Sequence, residues 1–189
     1  MPGGLSVRCG RLPGMDEQQF WDVIAEARRQ GGEDAEAVAA HAADLLAARP
    51  RADILDAERV LQGLLADSYR GELWGAAYLI NGGCSDDGFD YFRGWLVTRG
   101  REVFEQAVAE PDSLAGLAAV RAAAEAGEDL DGEDTLAVAW TAHRAATGED
   151  LPDDCFTLSY PDIRFAWDFD DEGETARRLP RLSALFAQD

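Results

Sequence analysis

What most constrains this chain is its punctuation. Alanine- and leucine-rich stretches with apolar residues at helical spacing are cut, again and again, by glycine or proline: Gly31-Gly32, Pro50, Gly71, Gly82-Gly83, Gly100, Pro111, Gly127 and Gly148. Glycine and proline end helices because one frees the backbone and the other lacks an N–H. The segments between breakers carry successive stripes at helical spacing, so the pattern predicts seven to nine helices. Phe20, Ile24 and Ala27 mark the first, starting at Asp16, and Asp34 to Ala48 forms the second. Asp53 is a candidate cap for a third, with Ile54, Leu61, Leu64 and Leu65 on one stripe. Residues 72–81 make a short apolar helix. Ser85 caps the next, whose Phe89, Phe92, Trp95 and Leu96 face the core, and residues 101–109 continue the series. Asp112 or Ser113 and then Asp131 are read as caps of two further helices.

From Leu151 the character changes. Pro152 and Pro161, several aromatics and a run of acids predict an irregular strap with Thr157–Ser159 as its one strand-like piece, followed by a short helix holding Leu182, Leu185 and Phe186. The expectation is an all-α, compact single-domain helical bundle. A disordered lead-in over residues 1–14 precedes a helical core over 15–150, and a C-terminal arm over 151–189 packs on it. Phe20, Ile24, Leu61, Leu64, Trp74, Tyr78, Phe89, Phe92, Trp95 and Leu96 are the predicted core.

Charge narrows the function. The 189 residues hold 37 acidic side chains against 17 basic ones, a formal charge of −20, and every basic residue is arginine. A chain without lysine has no Schiff-base lysine and no P-loop lysine. Its negative field argues against a nucleic-acid backbone or an anionic membrane as partner. No apolar run reaches the length of a membrane span, and residues 1–14 lack the apolar stretch of a signal peptide. The three widely spaced cysteines, Cys9, Cys84 and Cys155, form no CxxC pair and read as reduced thiols of a cytoplasmic protein. No cofactor is indicated.

One stretch departs from the alanine-leucine economy: WGAAYLINGGCSDDGFDYFRGW, residues 74–95. Here a tight glycine turn joins two helices and carries a thiol, three carboxylates and an arginine. Asp86, Asp90 and Arg93 follow at i, i+4 and i+7 and share a helix face, and Asp87 and Asp90 are neighbours at i and i+3. Cys84, Asp87 and Asp90 are the candidate catalytic groups. Trp74, Tyr78, Asn81, Ser85, Asp86, Tyr91 and Arg93 are the candidate binding groups, and whether the carboxylates hold a metal is left open. Against this stands a plainer account. Asp86 and Asp87 complement the helix dipole, Asp90 and Arg93 form a surface pair, and Cys84 fills a turn. A thiol at a helix start gains acidity, but the adjacent aspartates oppose that. Gly82-Gly83 does not match a phosphate-binding fingerprint. His41 and His143 lack ligand partners in sequence and read as packed or surface residues. Asp168 to Gly173 begins like a calcium loop, but Leu179 stands where a bidentate glutamate is required, so the acids there read as solvated and Trp167 as packed.

The central run extended to Val108, with FWDVI near the start and ARRLPRL near the end, resembles a bacterial family described as domain of unknown function 4240. The resemblance spans about Met15 to Phe186. It rests most on Trp74, Tyr78, Asn81, Gly82, Gly83, Cys84, Ser85, Asp86, Asp87, Gly88, Phe89, Tyr91, Phe92 and Trp95. It implies a small bacterial protein and no particular reaction. Two classes of function stay open. The first is an interaction or regulatory protein whose field captures a basic protein or peptide. The second is an enzyme or metal-dependent accessory with its site at the Asn81–Arg93 turn, acting on a small cationic or peptide substrate.

Overall fold

A computed structural model describes residues 14–152, 162–163, 165 and 167–186. Within these residues the structure is helical, with no strand: eleven α-helices and one 3-10 segment. They are α1 (Glu17–Gly31), α2 (Ala35–Ala47), α3 (Arg51–Asp67), α4 (Gly71–Ile80), α5 (Asp86–Thr98), α6 (Arg101–Ala109), the 3-10 segment (Pro111–Gly116), α7 (Ala118–Ala126), α8 (Glu133–Leu136), α9 (Val138–Thr147), α10 (Glu172–Arg178) and α11 (Pro180–Phe186). The excess over the expected number arises at two places. A kink at Ala137 divides α8 from α9, and Pro180 divides α10 from α11. The strand-like reading of Thr157–Ser159 falls outside the described residues.

Local chemistry accounts for the boundaries. Asp16 and Gln19 form a reciprocal capping box at the start of α1, with bonds of 2.8 and 2.9 Å. Asp34 caps α2 through the amides of Glu36 and Ala37. The third helix begins two residues before Asp53. Pro50 supplies its first acceptor carbonyl, and Asp53 lies in the first turn opposite Arg49. Asp112 and Ser113 cap no alanine-rich helix either. Both are buried inside the 3-10 segment, and the Asp112 carboxylate accepts the amides of Arg181 at 3.0 Å and Leu182 at 2.9 Å. It therefore caps a helix 69 residues downstream and ties α11 to the bundle.

The helix α5 is the axis of the packing. Phe89, Phe92, Gly94, Trp95, Leu96 and Val97 are all buried, so it is enclosed on nearly every side beyond its first turn. It contacts α1, α2, α3, α4, α6 and α8. One approach, between Gly94 of α5 and Gly132, is so close that neither residue has room for a Cβ. The Gly132 amide donates to the Tyr91 carbonyl at 3.1 Å, and a Cβ on Gly132 would stand 2.6 Å from the Trp95 Cα. The predicted core residues are buried, except Tyr78, which is half-buried and turns its hydroxyl outward. His143 is buried too: its Nε2 accepts from Arg51 Nε at 3.0 Å and its Nδ1 lies 3.0 Å from the Glu149 carbonyl. This places it as the packed histidine that the sequence suggests.

Candidate functional site

The α4–α5 turn is built as the sequence implies. Asn81 ends α4, and Gly82 and Gly83 follow at φ 64° and 135°, the left-handed region that glycine alone enters freely. Ser85 then caps α5 by accepting the Gly88 amide at 3.2 Å. Asn81 is a structural clamp: its side chain accepts the Leu130 amide at 3.0 Å and donates to the Leu130 carbonyl at 3.3 Å, holding the segment before α8 against the turn.

The candidate residues divide into three sets. Asp86 and Asp87 are exposed in the first turn of α5, where they meet its positive end. Tyr91 is half-buried further along; the charge of Glu133 first, then burial and Asp87, push its phenol up. Arg93 is the main departure from expectation. Expected at the mouth of the turn or in a surface pair, it is 0% exposed. Its guanidinium bonds the Leu65 carbonyl, the Phe89 carbonyl and Asp90, and it lies 5.0 Å from the Tyr69 ring centroid and 4.8 Å from that of Phe89. The helical face shared by Asp90 and Arg93 is thus partly an inner one, and Asp90 serves as the counter-charge. The acid cluster and the arginine are not assembled at one open site. Among the described residues no group of three or more His, Cys, Asp or Glu side chains is placed to hold a metal ion.

The third set, Trp74, Tyr78 and Cys84, opens onto a cleft. Trp74 is buried against Phe89, centroids 4.6 Å apart, and its indole donates to the Cys84 carbonyl at 2.9 Å. The Tyr78 hydroxyl donates to Asp170 at 2.6 Å, and this bond, with the charge of the same carboxylate, pushes the phenol up. The Cys84 thiol is pushed up to about 12, first by burial and then by the charge of Asp129. It is a protonated packing group at neutral pH, the reverse of an activated nucleophile.

Across the cleft stands part of the strap that the sequence predicts after Leu151, with Trp167 packed as expected. Phe165, Trp167, Phe169, Asp168 and Asp170 line about 370 Å³ together with Trp74, Tyr78 and Cys84. Trp167 reaches α4 because residue 75 is glycine: a Cβ there would stand 2.6 Å from the indole Cη2. Its Nε1 donates to Thr175 at 2.9 Å, which anchors the strap to α10. The available signal was the alternation Phe165-x-Trp167-Asp168-Phe169-Asp170. The chain turns from Asp168 to Asp171, the Asp171 amide donating to the Asp168 carbonyl at 3.0 Å, so that rings and carboxylates line the same cleft. A second cleft of about 700 Å³ shares Tyr78, Phe169 and Asp170 with the first. It has Leu79, Leu185 and Phe186 in its floor and the exposed Glu128, Asp129 and Glu172 on its rim.

A comparison with family models finds a match over residues 15–145 to the family described as protein of unknown function, DUF4240. The match includes α4 and the α4–α5 turn and ends before the strap. No curated protein and no solved structure matches the chain.

Proposed function

This chain belongs to the DUF4240 family, and from that premise we propose that it is an interaction protein. It captures a positively charged segment of another macromolecule on the face made by α4, the α4–α5 turn and the strap. The observation that carries this reading is the cleft itself: five aromatic side chains with Asp168 and Asp170 among its lining, continued by a second cleft with an acidic rim. Aromatic faces and carboxylates attract cations by different physics, the ring quadrupole and the net charge, and both favour the same partner. At longer range the formal charge of −20 steers a basic partner toward the molecule and repels nucleic acid. Among the described residues no helix is long and apolar enough to cross a membrane. The alternative, an enzyme acting through Cys84 at the Asn81–Arg93 turn, has less in its favour. Its thiol is held protonated, and its arginine serves the core.

The test is titration calorimetry with an oligo-arginine peptide. The pair Asp168→Asn and Asp170→Asn should weaken binding about tenfold or more, a change of about 1.4 kcal/mol. Asp44→Asn with Glu125→Gln removes the same charge from exposed positions elsewhere and should change binding by no more than about twofold. Equal losses in the two doubles would reduce the effect to net charge and remove the cleft from the function.

A further inference from the structure

We propose that the cleft between α4 and the strap is a recognition pocket for a quaternary ammonium group, supplied by an N-trimethylated lysine of a basic partner. This rests on the reading of the same face as a capture surface and names the chemistry it selects.

The walls are rings set nearly at right angles. Trp74 and Phe165 meet at 5.2 Å and 76°, Phe165 and Phe169 at 5.4 Å and 86°, and Trp167 and Phe169 at 5.0 Å and 68°. Such a corner turns π surface toward a guest from more than one direction, the arrangement that favours a diffuse, weakly hydrated cation. A volume of about 370 Å³ is at the small end of ligand pockets and suits one alkylated head and the start of its stem.

The cost of shedding hydration decides between cations. Asp170 already accepts from Tyr78, and Asp168 accepts the Asp170 amide at 3.1 Å. A primary ammonium brings three donors and a guanidinium five, so each gives up more hydration on meeting ring faces than a methylated head does. A trimethylammonium brings none. The molecule supplies its own contrast. Where it seats a guanidinium between rings, at Arg93, it provides two backbone carbonyls and a carboxylate as acceptors. In the strap cleft the Asp168 and Asp170 carboxylates give a cation charge and the rings give it faces. Arg178 lies over Trp167 at 4.9 Å but is not part of the cleft lining and bonds Glu174.

The experiment uses the full chain and four probes: a peptide with one trimethyl-lysine, the same peptide with unmodified lysine, its neutral tert-butyl isostere, and free choline. Binding is followed by calorimetry and by tryptophan fluorescence. The methylated peptide should bind about tenfold or more tighter than each of the others. Phe165→Ala should erase that preference and Phe165→Tyr keep it; Phe165 is 53% exposed, so neither change threatens the fold. Equal binding of the unmodified or the neutral peptide overturns the proposal, as does a preference that survives Phe165→Ala. Choline binding as tightly as the methylated peptide overturns the assignment to a peptide. Absence of a methyl preference in the unsubstituted chain, with oligo-arginine capture intact, removes this inference alone. A methyl preference that persists while oligo-arginine capture fails its charge control supports the pocket and removes the broader reading.

Discussion

Two places in this molecule are made from the same materials. At the base of α5, Tyr69 and Phe89 flank the Arg93 guanidinium with Asp90 as counter-charge, all but enclosed by α3 and α5. Around the strap cleft stand Trp74, Tyr78, Phe165, Trp167 and Phe169 with Asp168 and Asp170, the two tryptophans buried and Phe165 and the carboxylates exposed. The first is a cation site that the chain fills itself; the second is open to a cation from elsewhere. A charge taken fully out of water must have its donors satisfied, and α3 and α5 provide the carbonyls that do so. A surface cleft has no such requirement and can discriminate by shape and charge. Aromatic residues beside charges therefore have opposite meanings here, and burial decides between them.

The comparison breaks most readily at Arg93. Arg93→Ala removes a buried side chain, takes the counter-charge from Asp90 and leaves a cavity between rings, so it should cost about 3–5 kcal/mol in urea unfolding. A loss below about 1 kcal/mol would mean the inner site does not hold the bundle. Gly75→Ala tests the other region. Its Cβ meets Trp167, so the strap must shift, at a cost of about 1–3 kcal/mol, and oligo-arginine binding should fall with it. Binding that survives a displaced strap, seen as altered tryptophan fluorescence, would separate the capture face from Trp167. Phe165→Ala should move stability by no more than about 0.5 kcal/mol, because the ring is largely exposed. A large loss would make Phe165 a packing residue, and the two regions would no longer differ in kind.

The smallest effect at neutral pH belongs to Cys84. Its thiol is pushed up to about 12 from a usual value of 9.0, so the folded state keeps the proton longer than the unfolded chain. Its contribution to stability is therefore full below pH 9 and declines as the pH rises toward about 12. Alkylation of the native protein should be slow at neutral pH and accelerate only in that alkaline range. Fast alkylation at neutral pH would restore the thiolate to consideration. Cys84→Ser should leave peptide binding unchanged, since the sulfur is protonated, a hydroxyl is nearly its isostere, and the Cys84 carbonyl keeps its bond to the Trp74 indole.

How far the sequence could be read depends on distance along the chain. The helices were legible because glycine and proline act on their own φ and ψ, and the caps at Asp16, Asp34 and Ser85 reach only two or three residues. The buried stripe of α5 was legible because helical spacing puts Phe89, Phe92 and Leu96 on one side. Part of the candidate site was legible as well, in that Trp74, Tyr78 and Cys84 do open onto a cleft. Its other wall was present in the alternation of rings and acids from Phe165 to Asp170, but a pattern of period two does not say what it faces.

The sequence by itself determined the all-α class, the element boundaries set by breakers and near caps, and a net charge that disfavours anionic partners. Each of these follows from backbone geometry over a few residues or from a sum over all of them. Tertiary structure decided the rest. Arg93 is exposed or buried according to whether α3 lies over α5, because only then does the Leu65 carbonyl reach it. Asp112 caps α11 rather than its own neighbours because the chain folds back across 69 residues. Gly75 is an ordinary helical glycine until Trp167 arrives and needs the space of a missing Cβ. A side chain's local propensity is a property of its neighbours in sequence. Its partner, and hence its function, is a property of what packing brings within a few ångströms.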